Sequence, residues 1–245
     1  MKSMVKKILL IVAVVLCCGA VLVGGAWCSV QHDDSPCSMV KIVIRDSIQR
    51  QFVDAMELEM YLKRNGYFPQ GKMISEVDCH AIEQCLLKHD VVRTAACYKS
   101  PFQVVHIHIT QRVPMLSVVS DNGCYYVDTD RRIMPVREQI DTDVPVFRGN
   151  VSSRAAMEEY FDFVAWLNGN HYWRTQIKDV QVKNPKYVVL SQKDYSAKIV
   201  LGSLDNYATK LSKLKKLYTK GFDRIGYPEY REYDLRFDNQ IVGRK

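Results

Sequence analysis

Residues 8–27 contain no charged side chain. A helix of that length reaches about 30 Å, the thickness of a bilayer's hydrocarbon core. Lys2, Lys6 and Lys7 precede the run. Gln31, His32, Asp33 and Asp34 follow it, and no Lys or Arg comes before Lys41. The positive-inside bias then puts residues 1–7 in the cytoplasm and the long C-terminal part outside. A cleaved signal peptide has an apolar core of about 7–15 residues, shorter than this one. Gly24, Gly25 and Ala26 would offer small residues to a peptidase, but the length argues for an uncleaved anchor. Trp27 suits an interfacial position. Gly19 and Gly24 are five apart, so a GxxxG pairing face is absent. Residues 28–38 read as a linker holding Pro36.

The chain as a whole has an ordinary globular make-up. Of 245 residues, 47% are hydrophobic and 25% charged, which excludes a mostly disordered, collagen-like or polytopic membrane protein. The length suits one or two domains. Eight cysteines are too dilute for a disulfide scaffold. Six lie outside the apolar run: Cys28, Cys37, Cys79, Cys85, Cys97 and Cys124. An extracytoplasmic location permits disulfides, yet spacing does not choose among the possible pairs. Cys79 and Cys85 fall on different faces of one predicted helix, so they are poor partners for each other. Most of the six are expected to be buried small hydrophobes.

Residues 39–111 alternate and cycle in an order that defines an α+β layer. Val40, Ile42 and Ile44 against Lys41, Val43 and Arg45 read as a half-buried strand. Residues 53–65 read as a helix with Met56, Met60 and Tyr61 on its apolar face and Gly66 at its end. Asp78 is a candidate N-cap for a second helix burying Ile82, Cys85 and Leu86. Residues 91–98 and 104–109 read as two strands around Lys99-Ser100-Pro101-Phe102. The order is β-α-α-β-β, two helices on one face of a small sheet.

From residue 112 the pattern shifts to short strands and turns. Strands are predicted at 115–120, 124–127, 132–136, 177–182, 187–190 and 197–201, with a hairpin turn at Asp121-Asn122-Gly123. A helix is predicted over 153–167, capped by Ser152 or Ser153, with Met157, Tyr160, Phe161, Val164 and Leu167 inward. A second follows from Leu204, Tyr207, Ala208, Leu211, Leu214, Leu217 and Tyr218, with Lys210, Lys213, Lys216 and Lys220 facing away. Residues 230–237 read as a long last strand, which 240–242 extends.

Catalytic signatures are not visible. G-x-S-x-G, P-loop, G-x-G-x-x-G and H-E-x-x-H patterns do not occur. His106 and His108 share a strand face but lack a third ligand at metal spacing, so a solvated face is the expectation. Cys79, His80, Cys85 and His89 lack a C-x-x-C pair and read as helix packing. Asp128-Thr129-Asp130 begins like a calcium loop without its Gly or distant Glu, and reads as a turn. Glu158, Glu159 and Asp162 read as a solvated helix face rather than paired acids. Asn150-Val151-Ser152 matches a glycosylation sequon. No cofactor and no metal are expected. Charge is more informative: residues 171–245 hold 16 Lys+Arg against 8 Asp+Glu, while residues 1–170 are nearly balanced. Outside a membrane such a surface suits an anionic lipid or an acidic protein better than nucleic acid. Tyr230, Arg231, Tyr233, Arg236 and Phe237 mix the residue types that dominate binding hot spots, and a last strand is often an edge open to strand addition.

Four stretches in order resemble the bacterial cell-division family FtsQ, called DivIB in some lineages. Ile109-Thr110-Gln111-Arg112-Val113-Pro114 resembles the exit of that family's POTRA domain. Tyr126-Val127-Asp128-Thr129-Asp130 with Ile133-Met134-Pro135 resembles its Val-Asp turn, although Arg131 stands where Gly is usual. Val144-Pro145-Val146-Phe147-Arg148-Gly149 resembles its Leu-Pro-x-Leu-x-Gly. Val200-Leu201-Gly202, the lysine-rich helix and Asp234-Leu235-Arg236-Phe237-Asp238-Asn239-Gln240 resemble its C-terminal block. The resemblance implies residues 39–111 as POTRA domain and 112–245 as β domain. It implies a single-pass inner-membrane protein at the division septum, with its N-terminus in the cytoplasm and its outer domains in the periplasm. It implies a non-enzymatic scaffold that binds FtsB- and FtsL-type coiled-coil proteins, and through them the septal FtsW/FtsI-type synthase. The partner would add a strand along Arg231, Tyr233, Leu235, Arg236, Phe237, Asp238, Asn239 and Gln240. Arg236 would meet a partner carboxylate and Phe237 would pack across the new ladder. Residues 91–98 are a second candidate pairing edge. The competing expectations are a membrane-anchored cell-wall enzyme and a POTRA-bearing membrane assembly factor. The second would call for tandem POTRA units or a barrel-length series of strands.

Overall fold

The computed structural model describes residues 14–21, 35–46, 52–121, 123–137, 142–193, 196–222, 230–238 and 240–245. Residues 14–21 are helical and exposed. The rest of the expected 8–27 anchor lies outside the described residues. Among the described residues, no helix is long and apolar enough to cross a membrane. The chain divides into two compact units, Met1–Gln111 and Arg112–Lys245.

In the first unit, β1 (Met39–Ile44) runs parallel to β3 (Val104–Gln111), which pairs antiparallel with β2 (Val92–Lys99). The sheet order is β1-β3-β2. Strict alternation in β3 buries Val105, Ile107 and Ile109 against the helices. Helix α1 (Ala55–Arg64) starts where Asp54 accepts the Glu57 N–H, and α2 (Cys79–Leu87) where Asp78 accepts that of Ala81. The N–H groups of Gly66 and Tyr67 close α1 by donating to the Lys63 and Leu62 carbonyls. Helix α2 buries Ile82, Cys85 and Leu86 as expected. The face of α1 requires correction: Leu58 and Leu62 are buried, while Met56 and Met60 are exposed. Both faces carry apolar residues at helical spacing, and the sheet selected the leucines. Gln111 ties the unit shut. Its Oε1 accepts the N–H groups of Phe52 (2.7 Å) and Val53 (3.1 Å), and its own N–H donates to Asp46.

The second unit is built on one nine-stranded sheet. Strand β4 (Pro114–Ser120) and β5 (Gly123–Asp128) form the hairpin expected at residues 121–123, and β6 (Ile133–Pro135) extends it. Strand β7 (Val146–Gly149) lies parallel to both β4 and β8 (Ile177–Asn184). Next come β9 (Tyr187–Gln192), β10 (Lys198–Gly202), β11 (Glu232–Asp234) and β12 (Val242–Arg244). The predicted helix over 153–167 is two pieces, α3 (Ser153–Met157) and α4 (Glu159–Gly169). They break at Glu158, whose ψ of −91° is not helical. Ser152 caps the first by accepting the Ala155 N–H. A short α5 (His171–Gln176), capped by Asn170, was not expected. Its Trp173 is fully buried. Helix α6 (Tyr207–Lys216) buries Leu211 and Leu214, and its last turn widens into a π-turn (Leu217–Gly221) that buries Tyr218. These side chains, with Phe147, Val180, Leu190, Ile199, Tyr233 and Leu235, form one core.

The Asp128 segment is a turn held by a buried carboxylate. Asp128 accepts the N–H groups of Asp130 and Arg132 and pairs with Arg112 Nη1 at 2.7 Å. Arg131 takes a left-handed φ of 60°, a conformation glycine adopts at least cost. It is held there by Asp162 at 2.5 Å, by the Met157 carbonyl and by the Phe161 ring, 4.2 Å away. Glu158, Glu159 and Asp162 are exposed.

Candidate partner-binding site

The terminal segment is not one long strand at an edge, and that expectation is corrected. Only residues 232–234 of it are extended within the sheet. Strand β11 is interior: it runs parallel to β10 and antiparallel to β12, with Tyr233 opposite Ile199 on one side and Gly243 on the other. Among the described residues the edge at this end of the sheet is β12, and the opposite edge is β6. Two local bonds explain the break. The Leu235 N–H makes the last parallel ladder bond, to the Val200 carbonyl at 2.8 Å. The next amide, of Arg236, donates to the Asp234 side chain at 3.2 Å instead of to a strand. A side-chain acceptor two residues back turns the chain out of the ladder. The chain then returns through Gln240 and Ile241 as β12.

This placement sorts the expected binding residues. Tyr233 and Leu235 are inward, 4% and 3% exposed, and belong to the core. Tyr233 meets Tyr218 edge-on at 5.4 Å and Tyr230 at 5.6 Å. Arg231 is exposed at the entrance to β11, and its N–H donates to the Arg244 carbonyl. Asp238 and Gln240 are exposed, as is Phe237 at 46%. Asn239 lies outside the described residues.

Arg236 is already paired. Its Nε and Nη2 donate to the Asp234 carboxylate at 2.9 and 2.7 Å, and Arg244 Nη2 donates to the same group at 3.1 Å. Asp234 is fully buried. Its hydrogen bonds from Arg236 hold its pKa below the usual carboxylate value, against the opposing effect of burial. The guanidinium of Arg236 also lies 5.4 Å over the Tyr187 ring. Gly202 makes room for it: a Cβ there would sit 2.7 Å from Arg236 Cγ, at a φ of +76°. Gly243 lets the Tyr230 ring close over β12, since a Cβ would come within 2.9 Å of that ring. Sequence reading missed Asp234 and Arg244 as a unit. Asp234 and Arg236, an acid and a base two apart, share one face in a regular strand and signalled half of the cluster, whereas Arg244 is ten residues from Asp234 and gave no local signal.

A cleft of about 300 Å³ opens beside this corner, lined by Asn206, Thr209, Lys210, Lys213, Leu235, Phe237, Asp238, Gln240 and Ile241. It continues into a wider shelf of about 690 Å³ past Lys216, Leu217 and Lys220. Lys210 is structural: its ammonium donates to the Leu201 and Ser203 carbonyls at 3.1 and 3.0 Å. Burial keeps its pKa below the ordinary lysine value. Lys213 donates to the Asp238 carbonyl, tying α6 to the loop before β12. The surface offers amide groups of an edge strand, an exposed aromatic ring and lysines side by side.

In the first unit, β2 ends the three-stranded sheet, as the second candidate edge required. Its Cys97 N–H is already taken by Glu83 of α2 at 2.7 Å. On the outer sheet face, Tyr98 stacks on His106 at 4.9 Å and its hydroxyl lies 3.2 Å from His108 Nε2. Arg45 donates to His108 Nδ1 at 3.0 Å. Burial first, then the Arg45 charge, lower the His108 pKa. Both ring nitrogens of His108 are thus engaged by protein. Among the described residues, no group of three or more His, Cys, Asp or Glu could hold a metal ion.

A β-α-α-β-β unit followed by a long mixed sheet with a strand at its C-terminal edge is the build of a POTRA domain carrying a β domain. Family comparison agrees on both halves. A model for a POTRA-like domain matches residues 35–110, and one described as FtsQ/DivIB, C-terminal related, matches residues 113–244. The second match alone spans more than half of the chain, and the chain belongs to the FtsQ/DivIB C-terminal related family. A comparison with curated proteins gave no match.

Proposed function

We propose that this chain is a non-enzymatic scaffold of the bacterial division machinery. The run of residues 8–27 would anchor it in the cytoplasmic membrane at the septum, with both folded units on the periplasmic side. FtsQ/DivIB proteins are a family of scaffolds rather than enzymes. The partner class is the FtsB- and FtsL-type single-span coiled-coil protein, and through it the FtsW/FtsI-type synthase. The observation that carries the reading is the end of the large sheet. Strand β12 closes it with a short edge, beside exposed Phe237 and a lysine-lined cleft. A partner strand adding to β12 gains ladder bonds from its backbone, and its flanking side chains set register against Phe237. Acidic groups on the partner would meet Lys213, Lys216 and Lys220. Arg236 serves the site by holding Asp234, and the face of its guanidinium left open to solvent can still meet a partner carboxylate.

The test is a pull-down from membranes with the full chain as bait, read by mass spectrometry. Wild type is compared with Phe237→Glu and with Lys213→Glu/Lys216→Glu. Retention of small single-span coiled-coil proteins by wild type, with loss in both variants, supports the reading. Equal retention by folded Phe237→Glu removes the β12 corner as the site. Failure of wild type to retain any such protein removes the scaffold reading.

A further inference from the structure

The start of α2 and the middle of β2 bring two cysteines together. Cys79 is the first residue of α2, and Cys97 lies in β2, an outer strand of the three-stranded sheet. Glu83 follows Cys79 by one helical turn, so the two stand on the same face of α2. From that face Glu83 reaches β2 and accepts the Cys97 N–H at 2.7 Å. One turn earlier on that face stands Cys79, near enough to Cys97 for the two thiols to interact. Both side chains are half-buried, and neither is sealed from solvent. Cys85, farther along the same helix, is buried in the core, and Cys37 donates instead to the Met39 carbonyl.

We propose that Cys79 and Cys97 are a disulfide pair that staples α2 to β2 when the chain meets an oxidising compartment. The pairing stands on the juxtaposition itself; its use in cells rests on the extracytoplasmic placement proposed above. The reagent is a disulfide, either glutathione disulfide or that of a thiol oxidoreductase. Burial first, then the neighbouring Cys79 thiol, push the Cys97 thiol well above its ordinary pKa, so exchange begins at Cys79. The Cys79 thiolate attacks one sulfur of the incoming disulfide and expels the other as a thiolate. Cys97 then gives up its proton and attacks the Cys79 sulfur of the mixed disulfide, expelling the second thiolate. Two protein thiols lose two electrons and two protons, and one disulfide becomes two thiols. The link closes a short loop through the α2–β2 connection and removes freedom from the unfolded chain.

The full chain, purified in detergent, is equilibrated with glutathione redox buffers, denatured, alkylated and digested. We expect a peptide linked through Cys79 and Cys97, and two fewer labels than the eight that the fully reduced chain takes. The oxidised wild type should melt several degrees above the reduced form, a shift lost in Cys97→Ser. The linked-peptide readout needs only wild type, so a poorly folding variant does not block the test. Two free thiols at an oxidising glutathione ratio, or links through other cysteines in place of this one, overturn the pairing. The same labelling after acid quenching of cells reads its use. A periplasm-active reporter at Lys245 reads placement separately. An active reporter with Cys79 and Cys97 reduced overturns the disulfide in cells. A silent reporter overturns the placement, and with it the cellular use of the pair.

Discussion

Asp234 shows how much one buried carboxylate organises. It is fully buried, yet it accepts from Arg236, from Arg244 and from the Arg236 amide. Its folded-state pKa lies below the unfolded value. The stability it contributes is therefore present above about pH 4 and is lost as pH falls through the lower folded value. Asp234→Asn should cost about 2–3 kcal/mol at pH 7, discounted because both arginines are partly solvated. The acid limb of a urea-stability profile should flatten below about pH 4 in that variant; an unchanged acid limb would show that Asp234 does not titrate with folding. Arg131 makes a second residue-scale case. Its left-handed backbone costs roughly 1–2 kcal/mol, which the Asp162 pair and Phe161 contact partly offset. Arg131→Gly should then stay within about 1 kcal/mol of wild type, because strain relief and lost contacts oppose. Arg131→Ile, branched at Cβ, should cost about 2 kcal/mol. Equal melting curves for the two variants would remove strain from the account.

At the scale of elements, two glycines separate a backbone constraint from a side-chain one. A Cβ on Gly149, at φ +98°, would lie 2.5 Å from the Val182 carbonyl oxygen across the β7–β8 pair. A Cβ on Gly202 would meet only the flexible Arg236 side chain. Gly149→Ala should cost about 3 kcal/mol or more and Gly202→Ala about 1–2, measured by urea unfolding. The reverse order would mean that β7 can shift along β8. The sequence already carried much at this level. Period-two runs marked β1 and β3, Asp78 stood where a cap belongs, and Gly66 marked the end of α1. It misled at the C-terminus, where 230–237 reads as a continuous strand. Asp234 takes the amide that would have continued the ladder, and nothing in period-two patterning reports such a bond. The face of α1 failed for a similar reason: Met56 and Met60 repeat as regularly as Leu58 and Leu62, and only the sheet beneath distinguishes them.

For the whole molecule, the excess of Lys and Arg after residue 170 lies partly along α6 and the cleft it borders. Partner capture through that surface should weaken as salt rises, and Lys213→Glu/Lys216→Glu should flatten the dependence. Binding indifferent to ionic strength would leave the apolar corner and the β12 backbone as the main source of affinity. Deleting residues 240–245 removes β12 and exposes β11 as a new edge. The truncated chain should still enter the membrane but fail to support septation in cells depleted of wild type. Normal septation would move the essential surface away from this corner.

Local pattern alone determined the apolar segment, the β-α-α-β-β order, most strands of the second unit and the lysine-rich helix. Each is a property of neighbouring residues: a run of missing charges, a repeat of two or of 3.6, a cap at a helix start. The tertiary structure decided what depends on residues distant in sequence. It set β11 between β10 and β12, sent Tyr233 and Leu235 into the core, and left Phe237 outside. It gave Arg236 to Asp234 and brought Cys79 beside Cys97. A strand's neighbours, and the partner of a charge or a thiol, are set by which surfaces pack together, and that information is not present in any short stretch of chain.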